Sequence, residues 1–213
     1  MTFESRVLEA LGTVYDPELD EPITTLGFVG SVAVDDGAVS VRLRLPTPQC
    51  APNFAFLMAA DASRALWRLD DVTSVDVVLE DHYTGAEINA TVNAGGSFSD
   101  AFPGETRGEL DALRALFQRK ALLARQSRLL SEVPRRLGDL QGPEADRCRE
   151  LRRALGIDAS DDAAPFVTGD GVPVDATDVR FRRMASMTAL SLETNGGMCR
   201  DLLAVRYGRV VAA

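Results

Sequence analysis

Histidine is almost missing from this chain, His82 being the single one in 213 residues. Any Cys-His catalytic pair must therefore be Cys50-His82, Cys148-His82 or Cys199-His82. Cysteine is also sparse. Three, widely spaced, fit neither a disulfide framework nor a Cys-x-x-Cys metal knuckle, and they are read as reduced thiols. Long apolar runs are lacking as well: no stretch approaches the roughly 18 residues that span a bilayer. The segment Met1 to Gly12 carries Glu4, Arg6 and Glu9, which is unlike a signal peptide. The expected location is the cytoplasm, with no membrane partner. Positive charge is not in excess, since 23 Lys and Arg face 32 Asp and Glu for a formal charge of -9. That balance opposes non-specific nucleic-acid binding and suits a protein partner or a metal ion.

What is present is a chain 46% hydrophobic and 26% charged, enough for one sizeable core or two small ones. Val7, Leu8 and Leu11 recur at helical spacing in a short helix from Arg6 to Leu11. From Ser31 to Leu45 the pattern alternates by twos about Asp36-Gly37, which predicts a β-hairpin with one wet face. After Pro52, the residues Phe54, Leu57, Met58, Ala62, Leu66 and Leu69 trace one face of a helix. Val75, Val77 and Leu79 alternate as a third strand. Thr84-Gly85-Ala86-Glu87 has capping-box spacing and predicts a helix through Ile88 and Val92 that stops at Gly95-Gly96.

Phe98 to Thr106, with Pro103-Gly104, reads as a loop at a domain boundary. Beyond it a helix from Glu109 to Val133 is closed by Pro134. Glu144 to Leu155 is another helix, Phe166 to Val174 a small hairpin about Asp170-Gly171, and Gly197 to Tyr207 a final helix. Arg180 to Leu192 fits strand or helix. The expected fold is α/β (α+β): a small three-stranded sheet with packed helices in residues 1–104, then a mainly helical domain in residues 105–213.

Cys50 is the most informative side chain, because it stands between an alternating strand and a helix opened by Pro52. There the positive end of a helix dipole favours the thiolate, the form that binds metal. The competing reading is a small apolar residue plugging a loop. Asp16-Pro17-Glu18 places two carboxylates on a proline-fixed turn, where Asp16 either caps the turn or helps Glu18 hold a cation. His82, beside Glu80 and Asp81, is either a metal ligand with Cys50 or a polar loop residue held by a neighbouring carbonyl. Zinc held tetrahedrally by one cysteine, one histidine and carboxylates stays among the alternatives. Cys199 follows Asn195-Gly196-Gly197-Met198 in the expected first turn of the last helix, so the dipole argument applies again and makes it a second candidate thiol. Cys148 shares a helical face with Leu151 and Leu155 and reads as core. Arg119, Lys120, Arg125, Arg128, Arg135 and Arg136 form a basic stripe, either a locally paired solvated face or a dock for an acidic client.

Asp16-Pro17-Glu18, Leu26-Gly27-Phe28-Val29 and Leu45-Pro46-Thr47-Pro48-Gln49-Cys50-Ala51-Pro52, with the helix and strand that follow, resemble the SufT/PaaD-like family of metal-sulfur cluster assembly domains. That family has an Asp-Pro-Glu turn, a leucine-glycine strand entry and one cysteine in a Thr-x-x-x-Cys-Pro loop. The resemblance implies a non-enzymatic factor that binds iron or an iron-sulfur cluster transiently and delivers it to a client metalloprotein. Cys50 would be the ligand, with Asp16, Glu18 and His82 as further candidates. The chain departs from the family pattern at Pro46, at Ala51 and at Glu80 to Thr84, where the family commonly has an Asp-Pro-Pro-Trp-like segment.

Asp81-His82-Tyr83-Thr84-Gly85 and Asn195 to Arg200 are in addition similar to accessory proteins of bacterial hydrocarbon monooxygenase systems, which implies a di-iron hydroxylase or its iron-sulfur reductase as client. A homodimer is left open. The rival reading is a protein-interaction adaptor for an oxygenase or chaperone. A thiol enzyme built on Cys50 and His82 lacks an orienting partner in the sequence.

Overall fold

The computed structural model describes residues 2–104 and 110–208. The chain divides into two compact units, one made of Met1–Leu110 with Gly196–Ala213 and the other of Asp111–Asn195. The sequence reading assigns everything after residue 104 to one domain, whereas the last turns of the final helix belong to the first unit. Thr106 and Glu109, named above as loop end and helix start, lie outside the described residues.

The first unit opens with α1, Phe3–Leu11, whose N-cap Thr2 accepts the amide of Ser5 and which buries Val7 and Leu11. Strands β1, Val29–Asp35, and β2, Ala38–Arg44, form the expected antiparallel hairpin. Its turn needs positive φ at both centres, 43° at Asp36 and 81° at Gly37. A Cβ at Gly37 would run into the carbonyl oxygen of Asp71. After α2, Pro52–Leu66, strand β3, Ser74–Glu80, pairs with β2 in parallel and completes the sheet order β1-β2-β3. Val39, Val41, Leu43, Val77 and Leu79 point to the buried face, where Ala55, Ala62 and Leu66 of α2 meet them. The three-stranded sheet with packed helices is thus as the alternating pattern predicts.

Helix α3, Gly85–Asn93, begins where expected, but Thr84 makes no side-chain cap; its hydroxyl is paired with His82 instead. The capping box lies further on. Ser97 and Asp100 cap each other around α4, Phe98–Ala101, inside the segment read from sequence as loop. The polar composition there hid an apolar anchor, since Phe98 and Phe102 are buried and their rings lie 4.9 Å apart.

The second unit contains α5, Asp111–Leu129, α6, Pro143–Ala154, and the first part of α7, Val179–Tyr207. A 3-10 turn spans Leu137–Asp139. The Phe166 to Val174 segment closes only as an isolated bridge, Val167 to Pro173, with Gly171 at φ 82°. Cys148 is buried among Leu122, Leu151 and Phe166, as its helical spacing predicts. Two polar side chains organise this core. Gln126 donates to the carbonyl of Val167 at 2.9 Å and accepts its amide at 2.8 Å, and the fully buried Arg152 donates to the carbonyls of Ala164 and Pro165, both at 2.8 Å.

Four residues of the basic stripe are paired locally: Arg119 with Asp170, Arg125 and Arg128 with Glu144, and Arg136 with Asp139 and Asp162. No helix among the described residues is long and apolar enough to cross a membrane.

Candidate functional site

Parallel pairing of β2 and β3 sets the site's location. Arg44 stands opposite Glu80 at the carboxyl ends of these strands, and the Arg44 Nε to Glu80 Oε2 ion pair at 2.6 Å closes that end. The two loops that follow therefore leave the sheet side by side. Carboxyl ends of neighbouring parallel strands are where open α/β sheets place ligands, because the loops there diverge and leave a crevice.

The first loop carries Cys50, one residue before Ala51, the N-cap of α2, with Pro52 in the first turn as anticipated. Its sulfur lies 3.5 Å from Thr47 Oγ1. The second loop carries His82, whose Nε2 lies 2.7 Å from the carbonyl oxygen of Cys50. His82 Nδ1 is 3.3 Å from the Thr84 amide, which donates to it, so Nε2 carries the proton and donates to Cys50. The Tyr83 amide donates to the Pro48 carbonyl at 3.2 Å. Both ring nitrogens of His82 are thus occupied, and the side chain braces the cysteine loop.

The third contributor is the turn after α1. Asp16 Oδ1 accepts the amides of Glu18 at 2.8 Å and Leu19 at 2.9 Å, a side-chain turn of the kind Asp-Pro-Glu predicts. Asp16 is buried, and burial pushes its carboxyl up to about 6 against the lowering effect of those two amides, with the charges of Glu18 and Glu21 adding to the rise. The same turn positions Glu18 at the surface.

These pieces border a cavity of about 120 Å³. Asp16, Glu18, Cys50 and Cys199 supply its polar groups, and Phe28, Leu45, Phe54 and Met58 are among its apolar walls. Among the described residues, no Lys, Arg or His lines it. Three of the four residues singled out as metal ligands from sequence thus meet at one place, with Cys199 added, while His82 lies behind the loop instead. Cys199 does not sit in a first helical turn. Helix α7 runs unbroken from Val179 through Gly196-Gly197, so Cys199 lies far from its N-terminus and has no free amides to face. Its thiol is pushed up to about 11, by burial first and then by Asp16, Cys50 and Glu18.

An apolar wall bearing only groups that are neutral or negative is chemically suited to a cation, since a metal ion relieves the repulsion that burial imposes on neighbouring anions. Thiols favour soft and borderline metals. Among the described residues no three His, Cys, Asp or Glu side chains are gathered closely enough to hold a metal ion as they stand. A second cavity of about 370 Å³ lies in the second unit, where Arg182 is committed to the carbonyls of Leu130 and Ala176.

Residues 4–77 match the family model for iron-sulfur cluster assembly proteins. An uncharacterised protein of Methanocaldococcus jannaschii is 37% identical over 90 residues, which make up 42% of this chain and 93% of that protein. No solved structure matches. Through its first unit, the chain belongs to the iron-sulfur cluster assembly protein family. Asp16, Glu18 and Cys50 fall inside the matched residues, whereas His82 and Cys199 fall beyond them.

Proposed function

We propose that this protein is a maturation factor that takes iron or a small iron-sulfur cluster at Cys50 and passes it to a client metalloprotein, without catalysing a reaction of its own. The observation that carries this reading is the cavity in which Cys50 meets Asp16 and Glu18, with no cation among the described lining residues. The cargo is the substrate here. Cys50 supplies a sulfur bond as its proton leaves to solvent, and the carboxylates offset the cargo's positive charge. The braced loop keeps the sulfur beside the cavity, and the sparse ligand set leaves coordination positions for the client's own ligands. Storage would call for a closed set.

A di-iron hydroxylase or its iron-sulfur reductase is the client we favour, from the similarity of Asp81 to Gly85 and Asn195 to Arg200 to monooxygenase accessory proteins. Both segments lie in or border the first unit. The adaptor reading draws on the absence of a ready three-ligand set among the described residues. Anaerobic reconstitution with ferrous iron and sulfide separates the two. The wild-type chain is expected to develop sulfur-to-iron absorption and to transfer it to an apo-acceptor, while Cys50→Ser does neither. Equal behaviour of the two proteins would leave the adaptor reading in its place.

A further inference from the structure

Cys199 comes from a part of the chain outside the family match, yet it lines the same cavity as Cys50. Its placement is secured on both sides. Arg200 Nη1 bonds Glu21 Oε2 at 2.6 Å, in the turn that carries Asp16 and Glu18. One turn on, Leu203 is buried in the core of the unit. Arg206 then donates to the carbonyls of Leu45 at 3.2 Å and Asp81 at 2.8 Å, and the Tyr207 hydroxyl donates to Asp81 Oδ2 at 3.0 Å. These bonds tie the last turns of α7 to the turn after α1, to the start of the cysteine loop and to the loop after β3. A chance neighbour would not need such anchoring.

The cavity also has carboxylates but no Lys, Arg or His among its described lining residues. Asp16 is more than nine-tenths buried, with a relative exposure of 7%, and its Oδ1 accepts the amides of Glu18 and Leu19. Arg200, the cation next to Cys199 in sequence, is engaged by Glu21.

We propose that Cys50 and Cys199 act together as a two-thiolate site for a thiophilic metal cation, either a single soft or borderline ion or the iron of a small cluster. Asp16 and Glu18 supply compensating negative charge. This rests on the reading of Cys50 as cargo ligand and adds that the C-terminal segment delivers the second sulfur. Each thiol releases its proton to solvent as its metal-sulfur bond forms, and no electrons change hands. Because two protons are displaced, binding strengthens as pH rises.

The test uses the reduced full-length chain under anaerobic conditions, titrated with Cd²⁺ and followed by sulfur-to-metal charge-transfer absorption. The amplitude expected is that of two thiolates per ion. Cys199→Ser should retain roughly half of it and bind at least about tenfold more weakly. On the wild-type chain, Cd²⁺ should slow iodoacetamide labelling of both Cys50 and Cys199, a measurement that decides the matter even where the variant folds poorly. Unchanged amplitude and affinity in Cys199→Ser, or Cys199 labelling at the same rate with and without Cd²⁺, would overturn the two-thiolate site. If Cys50→Ser then still abolishes binding, only this inference falls; if Cys50→Ser also binds normally, the assignment of Cys50 as cargo ligand falls with it.

Discussion

His82 donates from Nε2 to the carbonyl oxygen of Cys50 across 2.7 Å, joining the loops that follow two parallel strands. Through this bond a residue of the third strand's loop controls the backbone of the cysteine. A hydrogen bond of this kind contributes about 1 kcal/mol, and its loss would free the loop more than it would destabilise the fold. His82→Ala is therefore expected to lower stability by about 1 kcal/mol and to change the alkylation rate of Cys50. Unaltered Cys50 labelling would show that the loop is held without the histidine.

Asp16 makes stability depend on pH in a direction opposite to that of a salt-bridged carboxylate. Its carboxyl is raised from 3.8 to about 6 in the folded protein, so the fold favours the protonated form. The contribution is fully present below about pH 4 and is lost as pH rises through about 6. Asp16→Asn keeps the Oδ1 acceptor for the Glu18 and Leu19 amides without the charge. Denaturant melts should show it more stable than wild type at pH 8, by up to about 3 kcal/mol, with the difference shrinking toward pH 4. A constant difference across that range would dismiss the buried carboxylate as the cause.

Leu203 fastens the end of α7 into the first unit, with 3% of its surface exposed. Truncating a buried leucine removes contacts that the surroundings cannot fully replace, at about 2–5 kcal/mol. Leu203→Ala should lower stability by that amount in denaturant melts and make Cys199 label faster. Deleting everything after residue 104 would remove this anchor together with the second unit, so that deletion does not isolate the second unit's role.

In the second unit, Gln126 stands in for a strand neighbour by pairing with both the amide and the carbonyl of Val167. Gln126→Ala leaves two buried backbone groups unsatisfied, at a cost of about 1–3 kcal/mol each. Urea denaturation should show that loss, and hydrogen exchange should be faster at the Val167 amide. Wild-type protection there would mean that water takes the glutamine's place.

Cys148 separates packing from chemistry. It is buried with 1% exposure, and Cys148→Ser puts a hydroxyl into that apolar setting. A loss of about 1–3 kcal/mol in stability is expected, with reconstitution unaffected. Cys50→Ser, on a half-buried loop residue, should reverse the pattern.

Local patterns in the sequence were sufficient for the hairpin, for α2 opening at Pro52, for the turn made by Asp16-Pro17-Glu18 and for Cys148 in a core. Each depends on neighbours within one helical turn or on alternation along one strand, and such short-range preferences are written in the residues themselves. The same patterns misplaced Cys199, because Gly196-Gly197 reads as a break where α7 continues. Two glycines lower helix propensity by only about 1 kcal/mol each, a cost that burial of residues such as Leu203 readily exceeds.

Nor could spacing reveal that His82 would brace Cys50, since that follows from β3 pairing in parallel with β2 across the whole of α2. The cavity is likewise a product of tertiary structure: Asp16, Cys50 and Cys199 reach it from a turn, a strand-to-helix loop and the last helix. Residue type and local geometry settled which side chains are able to bind a soft cation. Which of them share a wall was decided by long-range burial, for which a sequence pattern holds no distance.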